Sequence, residues 1–332
     1  MTPSDAIPVA VWLREDQVSL LSSVLNAANL RLVGAGGNGG RDLAKLHNAE
    51  DENDLRSMIA TTDASLVIIG DPGPFADGSS TSDFRTLVDA GQRGVIIASL
   101  EPIPALSLHL TDPSWQDASD VAKERVAFIP LVRRGRALRR AHDLLGSFGP
   151  IEAVSIVTLG RSSEGSLGAR LAGAADLLTI LLGQPSTVLA AHTPGTDDPA
   201  TPETLRGFRG HLAATFRFAD GTSASLFASD RAAVWSRSVT LLGPGGRIVA
   251  DDSRVDWYDA SGSHVETMSS DHAIADTAAA VIADDIRALL GDAPRAAPVD
   301  LAGVLATGHA ALLSARTGHA EQPAELRRLG GT

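Results

Sequence analysis

Four short apolar runs near the N-terminus constrain this chain more than any other feature: IPVAVW (7–12), LRLVGA (30–35), SLVIIG (65–70) and GVIIAS (94–99). Each has strand length and no regular polar alternation, as expected of strands buried on both faces. Helical patterns separate them. EDQVSLLSSVLNAA places Val18, Leu21 and Leu25 at helical spacing, a short helix is expected around Arg41 to Leu46 and another over DENDLRSMIATT, and DFRTLVDAG has Gly91 as its expected stop. Such alternation specifies a parallel, doubly wound sheet, so residues 1–125 read as a Rossmann-type domain.

The pattern changes in the remainder, residues 126–332. IEAVSIVTLG, HLAATFRFADGTSASLFAS and SVTLLGPGGRIVADDSRVDWYDASGSHVETM read as strands joined by turns at Asp220-Gly221, Gly245-Gly246 and Ser261-Gly262. Two helices accompany them, SLGARLAGAADLLTILLG stopped by Gly183 and DTAAAVIADDIRALLG stopped by Gly291, and AAHTPGTDDPATPETLRG reads as a polar loop. The expected fold is therefore α/β: a doubly wound parallel sheet, then an α+β domain with a mostly antiparallel open sheet.

Composition removes several functions. The 332 residues contain no Cys and carry a net charge of −12, which excludes disulfides and thiolate chemistry and disfavours nucleic acid or an anionic membrane as a partner. No run is long and apolar enough to span a bilayer, and MTPSDAIPVAVW lacks an export signal, so a soluble cytoplasmic protein is expected. The nine histidines form no H-x-H or H-E-x-x-H pattern, so no metal site is expected; no serine elbow occurs, and Ser162 to Ser166 read as a loop.

RLVGAGGNGGRD contains G-x-G-x-x-G, Gly34 to Gly39. A dinucleotide fingerprint belongs after the first strand of its sheet, with the diphosphate at the next helix N-terminus and an acid at the end of the second strand. Here IPVAVW, its helix and LRLVGA already form the first strand-helix-strand unit, and the following LHNAEDENDLR offers no strand before Ser65. The glycines thus follow the second strand. The turn after the first strand, Trp12-Leu13-Arg14-Glu15-Asp16-Gln17, has no glycine and two acids that repel a diphosphate. Gly36-Gly37-Asn38 at the ribose position admit two readings: small residues that, with Arg41, accept a 2′-phosphate, or a flexible turn.

The order of elements resembles the Gfo/Idh/MocA family of sugar and cyclitol oxidoreductases. DLRSMIATTDASLVIIGDP is similar to that family's helix-strand unit ending in a Thr-Pro-type turn, here Asp71-Pro72, and LVDAGQRGVIIASLEP to its AGKHVLVEKP segment. SLGARLAGAADLLTILLGQP resembles the helix lining the family's active site, LAATFRFADGTSASLFAS the following hairpin, SVTLLGPGGRIV the next strand pair and LLSARTGHA the closing helix. The resemblance implies cofactor-facing positions at Trp12, Leu13, Gly37, Asn38, Arg41, Asp71 and Pro72.

It also implies a lysine, an aspartate and a histidine around the reacting carbon, where hydride transfer is coupled to proton transfer. Here Glu101 stands at the lysine position, Ala169 at the aspartate and Gly173 at the histidine, while Asp176 remains; the only lysines, Lys45 and Lys123, do not align with the missing one. Glu101 is either a base whose pKa burial raises or a solvated loop carboxylate, and Asp176 either a cleft residue or a local helix partner. The expectation is a non-catalytic protein, a partner subunit or a sensor of a small sugar-like molecule, with no nicotinamide cofactor and a homo-oligomer formed through the C-terminal sheet. The alternative is an active NAD- or NADP-dependent oxidoreductase acting on a sugar or cyclitol with a rearranged site. Arg133, Arg134, Arg136, Arg139 and Arg140 form a basic cluster that reads as an anion-binding face or as an exposed helix side balancing nearby acids.

Overall fold

Strand β1 (Ile7–Trp12) lies at the centre of a six-stranded parallel sheet of order β3-β2-β1-β4-β5-β6, with β2 Leu30–Gly36, β3 Glu50–Glu52, β4 Leu66–Ile69, β5 Ile96–Ser99 and β6 Val126–Phe128. The computed structural model describes residues 6–73, 75, 81–103, 116–129, 136–195, 204–269, 278–291 and 300–330. The chain divides into two compact units: one runs to residue 130 and adds 282–302, the other takes 131–281 and 303–330. The first unit extends past residue 125 because β6 pairs with β5.

Apolar strands form the core of this unit. Val9, Val11 and all four residues of β4 are buried, since helices cover a parallel sheet on both faces. The crossover helices are α1 Val18–Ala28, α2 Gly40–His47, α3 Leu55–Thr61 and α4 Thr81–Gln92, with α5 Gln116–Arg125 before β6. Two expectations fail here. Glu50–Glu52 form strand β3 in a stretch that reads as strand-free, because backbone pairing with Gly34–Gly36, and not an apolar pattern, places it. Gly91 does not stop α4: it is buried within the helix, where a Cβ would lie 2.9 Å from Val121 Cγ1 of α5. Gly91 permits close helix approach, and the chain turns at Gly94.

The second unit is built on an eight-stranded sheet of order β14-β13-β12-β11-β7-β10-β9-β8. Its strands are β7 Ala153–Arg161, β8 Thr187–Thr193, β9 His211–Arg217, β10 Ser223–Ser229, β11 Arg231–Gly243, β12 Gly246–Asp251, β13 Arg254–Tyr258 and β14 His264–Ser269. All neighbours are antiparallel except β7 and β10. Phe148 of α6 (Arg136–Phe148), Leu171 and Leu178 of α7 (Leu167–Leu182) and Leu312 of α9 (Leu301–Thr317) pack with Ile156, Phe216, Leu226 and Val239 into its core. Ser166 caps α7 by accepting the Ala169 N–H at 3.0 Å. Helix α10 (Pro323–Gly330) also belongs to this unit, whereas α8 (Ala278–Leu290) falls mostly in the first, which takes residues 282–302.

Strand β8 includes Ala190 to Thr193, which the sequence assigns to the polar loop; alternate burial of Val188 and Ala190 marks it as a strand, and residues 196–203 of that loop lie outside the described residues. On the sheet face opposite the helices Leu189, Phe227 and Leu242 are 44–50% exposed. Both outer strands are modified. Val188 of β8 exchanges backbone hydrogen bonds with Glu321, and β14 bulges at Val265, which sets Glu266 opposite the inward-facing Trp257. Of the basic cluster, Arg140 on α6 donates to Ser269 O at 2.9 Å; Arg133 and Arg134 and the side chains of Arg136 and Arg139 lie outside the described residues.

Candidate functional site: the carboxyl edge of the parallel sheet

The turn after β1 determines what this edge can bind. Leu13 is buried, and Glu15–Gln17 form a single 3-10 turn before α1. The fully buried Gln17 carboxamide accepts the Arg14 N–H through Oε1 at 3.0 Å and donates through Nε2 to Gly70 O at 3.2 Å. It thereby fills the gap between the ends of β1 and β4. Gly70 leaves room for this carboxamide: a Cβ there would lie 2.5 Å from Gln17 Oε1 and push the side chain aside. Arg14 reaches the same gap from outside: Nη1 meets Asp71 Oδ2 at 3.2 Å and Nε meets Asp16 Oδ1 at 3.0 Å.

The glycine cluster is consumed by internal packing. Gly36 O accepts the Leu13 N–H at 3.0 Å, and the Gly39 N–H donates to Leu13 O at 3.2 Å, so the β2–α2 turn is bonded to the β1–α1 turn. A Cβ at Gly36 would lie 2.4 Å from the Trp12 ring, and one at Gly39 2.5 Å from Arg14 O. Gly37 has φ 85°, and a Cβ there would lie 2.4 Å from Leu13 O. These glycines let two turns of the protein approach each other. At the β1–α1 turn the N–H groups of Leu13, Arg14 and Gln17 are taken by Gly36 O, Gln17 Oε1 and Arg14 O, and with no glycine and with Glu15 and Asp16 in the turn the residues present do not fit a diphosphate.

Beside this closed turn lies a cavity of ≈480 Å³. The expected positions Trp12, Leu13, Gly37, Asn38, Asp71 and Pro72 line it, joined by Arg14, Asn53, Asp54, Arg56, Phe75 and Asp83, which sequence reading did not single out as ligand positions. Arg41 does not line it; its side chain is 86% exposed and pairs with Asp51 at 3.4 Å. The polar wall is internally bonded. Asp54 Oδ1 caps α3 by accepting the Ser57 N–H at 2.7 Å, Arg56 Nε donates to the buried Asp83 at 2.8 Å, and Asp71 Oδ1 accepts the Gly73 N–H at 3.0 Å. The volume suits a nucleoside-sized or sugar-sized molecule. Among the charged lining residues, three carboxylates outnumber two guanidinium groups.

The residues implied for chemistry fall in different units. Glu101, in the first, is partly exposed in the turn after β5, where Ser99 Oγ accepts its N–H at 3.2 Å and donates to its carbonyl at 2.5 Å. Asp176, in the second, is buried on α7, as are Ala169 and Gly173. The same unit holds a cation–π cluster that the sequence does not disclose: the Arg170 and Arg237 guanidinium groups lie over the Trp235 ring, 5.1 Å and 5.4 Å from its centroid. Asp252 binds it together, accepting the Trp235 indole N–H at 2.7 Å and Arg237 Nε at 2.7 Å, with the Arg237 and Asp252 side chains 5% and 9% exposed. Among the described residues no group of three or more His, Asp or Glu side chains is placed to hold a metal ion, and no helix is long and apolar enough to cross a membrane.

No protein-family model and no curated protein sequence matches the chain. Solved structures do. They include levoglucosan dehydrogenase in complex with NADH and levoglucosan (TM-score 0.65, 17% identity, covering 96% of this chain and 99% of that one). GenD2 from gentamicin A biosynthesis in complex with NAD gives 0.65 and 18%, covering 97% of each chain. A myo-inositol dehydrogenase from Corynebacterium glutamicum ATCC 13032 gives 0.62 and 17%, covering 96% and 98%. At these identities the likeness establishes the fold: a Rossmann-like unit and an eight-stranded, mostly antiparallel sheet unit, as in dehydrogenases of the Gfo/Idh/MocA type.

Proposed function

We infer that this chain is a non-catalytic ligand-binding protein on a dehydrogenase fold, a partner subunit or a sensor of a small hydroxyl-rich molecule, self-associating through the open face of its second sheet. One observation carries the reading: the β1–α1 turn is closed by the Gln17 carboxamide and the Arg14–Asp71 ion pair, where a dinucleotide needs glycine backbone. Glu101, Ala169 and Gly173, at the positions where the resemblance calls for lysine, aspartate and histidine, add support because no proton-transfer group of matching type stands there. The second reading, an NAD(P)-dependent oxidoreductase of a sugar or cyclitol, draws support from the cavity at the sheet edge and from the NAD and NADH held by two structural neighbours.

Titration with NADH and NADPH, followed by nucleotide fluorescence, separates the two. No binding is expected near millimolar cofactor; micromolar binding with NAD(P)⁺-dependent oxidation of any polyol overturns the first reading. Glu101→Lys supplies the missing cation alone. It is expected to show no NAD(P)-dependent turnover above the wild-type background, because Gly173 and the closed turn are unchanged, and measurable turnover in this variant restores the oxidoreductase reading.

A further inference from the structure

Between β1 and β4 the strand order β3-β2-β1-β4 reverses its direction of travel, so the crevice beyond their carboxyl ends is the switch point at which doubly wound sheets take ligands. Arg14 follows β1 and Asp71 follows β4, and their ion pair at 3.2 Å crosses that crevice. The guanidinium is held on both sides. Asp16 takes Nε at 3.0 Å and Nη2 at 3.4 Å, while the Gly73 N–H at 3.0 Å fixes the Asp71 carboxylate. Burial pulls the Arg14 pKa down, but the hydrogen bonds and charges of Asp16 and Asp71 outweigh it and raise the value, so the group stays cationic with its donors directed at carboxylates. A guanidinium fork fits phosphate as well as carboxylate, so these acids and a ligand phosphate compete for the same donors. The second cation on the cavity wall, Arg56, is likewise engaged by the buried Asp83.

We propose that Asp71, supported by Asp16, is a specificity-determining residue: by holding Arg14 across the switch-point crevice it restricts the adjoining cavity to ligands that carry no phosphate. This rests on the non-catalytic reading above. Neutralising Asp71 releases Arg14 Nη1 toward the crevice while Asp16 keeps Nε and Nη2, and it balances the cavity's remaining two carboxylates against its two guanidinium groups, so the repulsion of phosphate is relieved and one donor is offered to it.

The test is calorimetric titration of the full chain with ADP, with adenosine as the phosphate-free control. Asp71→Asn keeps a carbonyl oxygen for the Gly73 N–H, and Asp71→Ser keeps a hydroxyl. Each is expected to bind ADP about tenfold more tightly than the wild type, the order of one charge-assisted contact to phosphate. Any adenosine affinity should change by less than about twofold, since the control carries no anionic group for the Arg14 guanidinium to pair with. Asp16→Asn, on a half-exposed side chain, gives a smaller gain in the same direction. The gain disappears in Arg14→Ala/Asp71→Asn and shrinks with added salt. Unchanged ADP affinity in all three single variants, or a gain that survives Arg14→Ala, overturns the proposal and leaves the non-catalytic reading standing. Micromolar NADH binding by the wild type overturns the proposal as well, because NADH carries a diphosphate; only when joined by NAD(P)⁺-dependent oxidation of a polyol does it also remove the non-catalytic reading.

Discussion

Asp252→Ala is expected to destabilise the second unit by about 3–5 kcal/mol, the range found when one partner of a buried ion pair is removed. Its carboxylate serves two groups at once, the Trp235 indole N–H and the Arg237 guanidinium, and both sit in a stack that water barely reaches. Removing it takes from Arg237 its bonds to that carboxylate and from Trp235 its acceptor, so a desolvation cost is added to the lost attraction. Arg237→Met combined with Asp252→Asn is expected to recover most of the loss, because no buried charge remains in the pair and the amide oxygen still accepts from Trp235. Urea unfolding of the single and double variants checks this. A loss below about 1 kcal/mol for Asp252→Ala would show that the pair behaves as a hydrated surface bridge.

Gly37→Ala is expected to cost the first unit about 2–5 kcal/mol, the sum of a left-handed backbone penalty and an overpacking term. The two contributions can be separated within the same unit. Gly94 has φ 90°, close to the 85° of Gly37, but a Cβ there meets nothing within 4 Å. Gly94→Ala should therefore cost only the backbone term, about 1–2 kcal/mol. The difference between the variants, read from denaturation midpoints, measures how tightly the β2–α2 turn is pressed on Leu13. Equal losses would mean that the glycines serve the turn's conformation alone and that the close approach is slack.

What the sequence discloses, and what it hides, follows from range. Strands β1, β4 and β5 are legible because burial on both faces writes itself as an apolar run, β2 because only the exposed Arg31 interrupts LRLVGA, and the glycine cluster is assignable to the second strand by counting from IPVAVW. Glu50–Glu52 were not legible, since three acidic residues become a strand only through pairing with Gly34–Gly36. Six of the cofactor-facing positions drawn from the resemblance line the cavity, but Gln17 reads in the sequence as one more polar residue of a turn. Its role depends on Gly70, 53 residues away, and that of Arg14 on Asp71, 57 away. Polar contacts at such separations leave no periodic signature. The Arg170–Trp235–Arg237–Asp252 stack was hidden for the same reason.

The margins of the eight-stranded sheet carry one more consequence. At β8 the outward backbone groups of Val188 are taken by Glu321, and at β14 the displaced Val265 breaks the register while Glu266 puts a carboxylate on the side a joining strand would have to keep dry. A neighbour arriving sideways finds either spent hydrogen-bond donors or a charge to be stripped of water. Lateral growth into extended ribbons is thus penalised at both rims, so the self-association proposed above would have to stack sheets broadside.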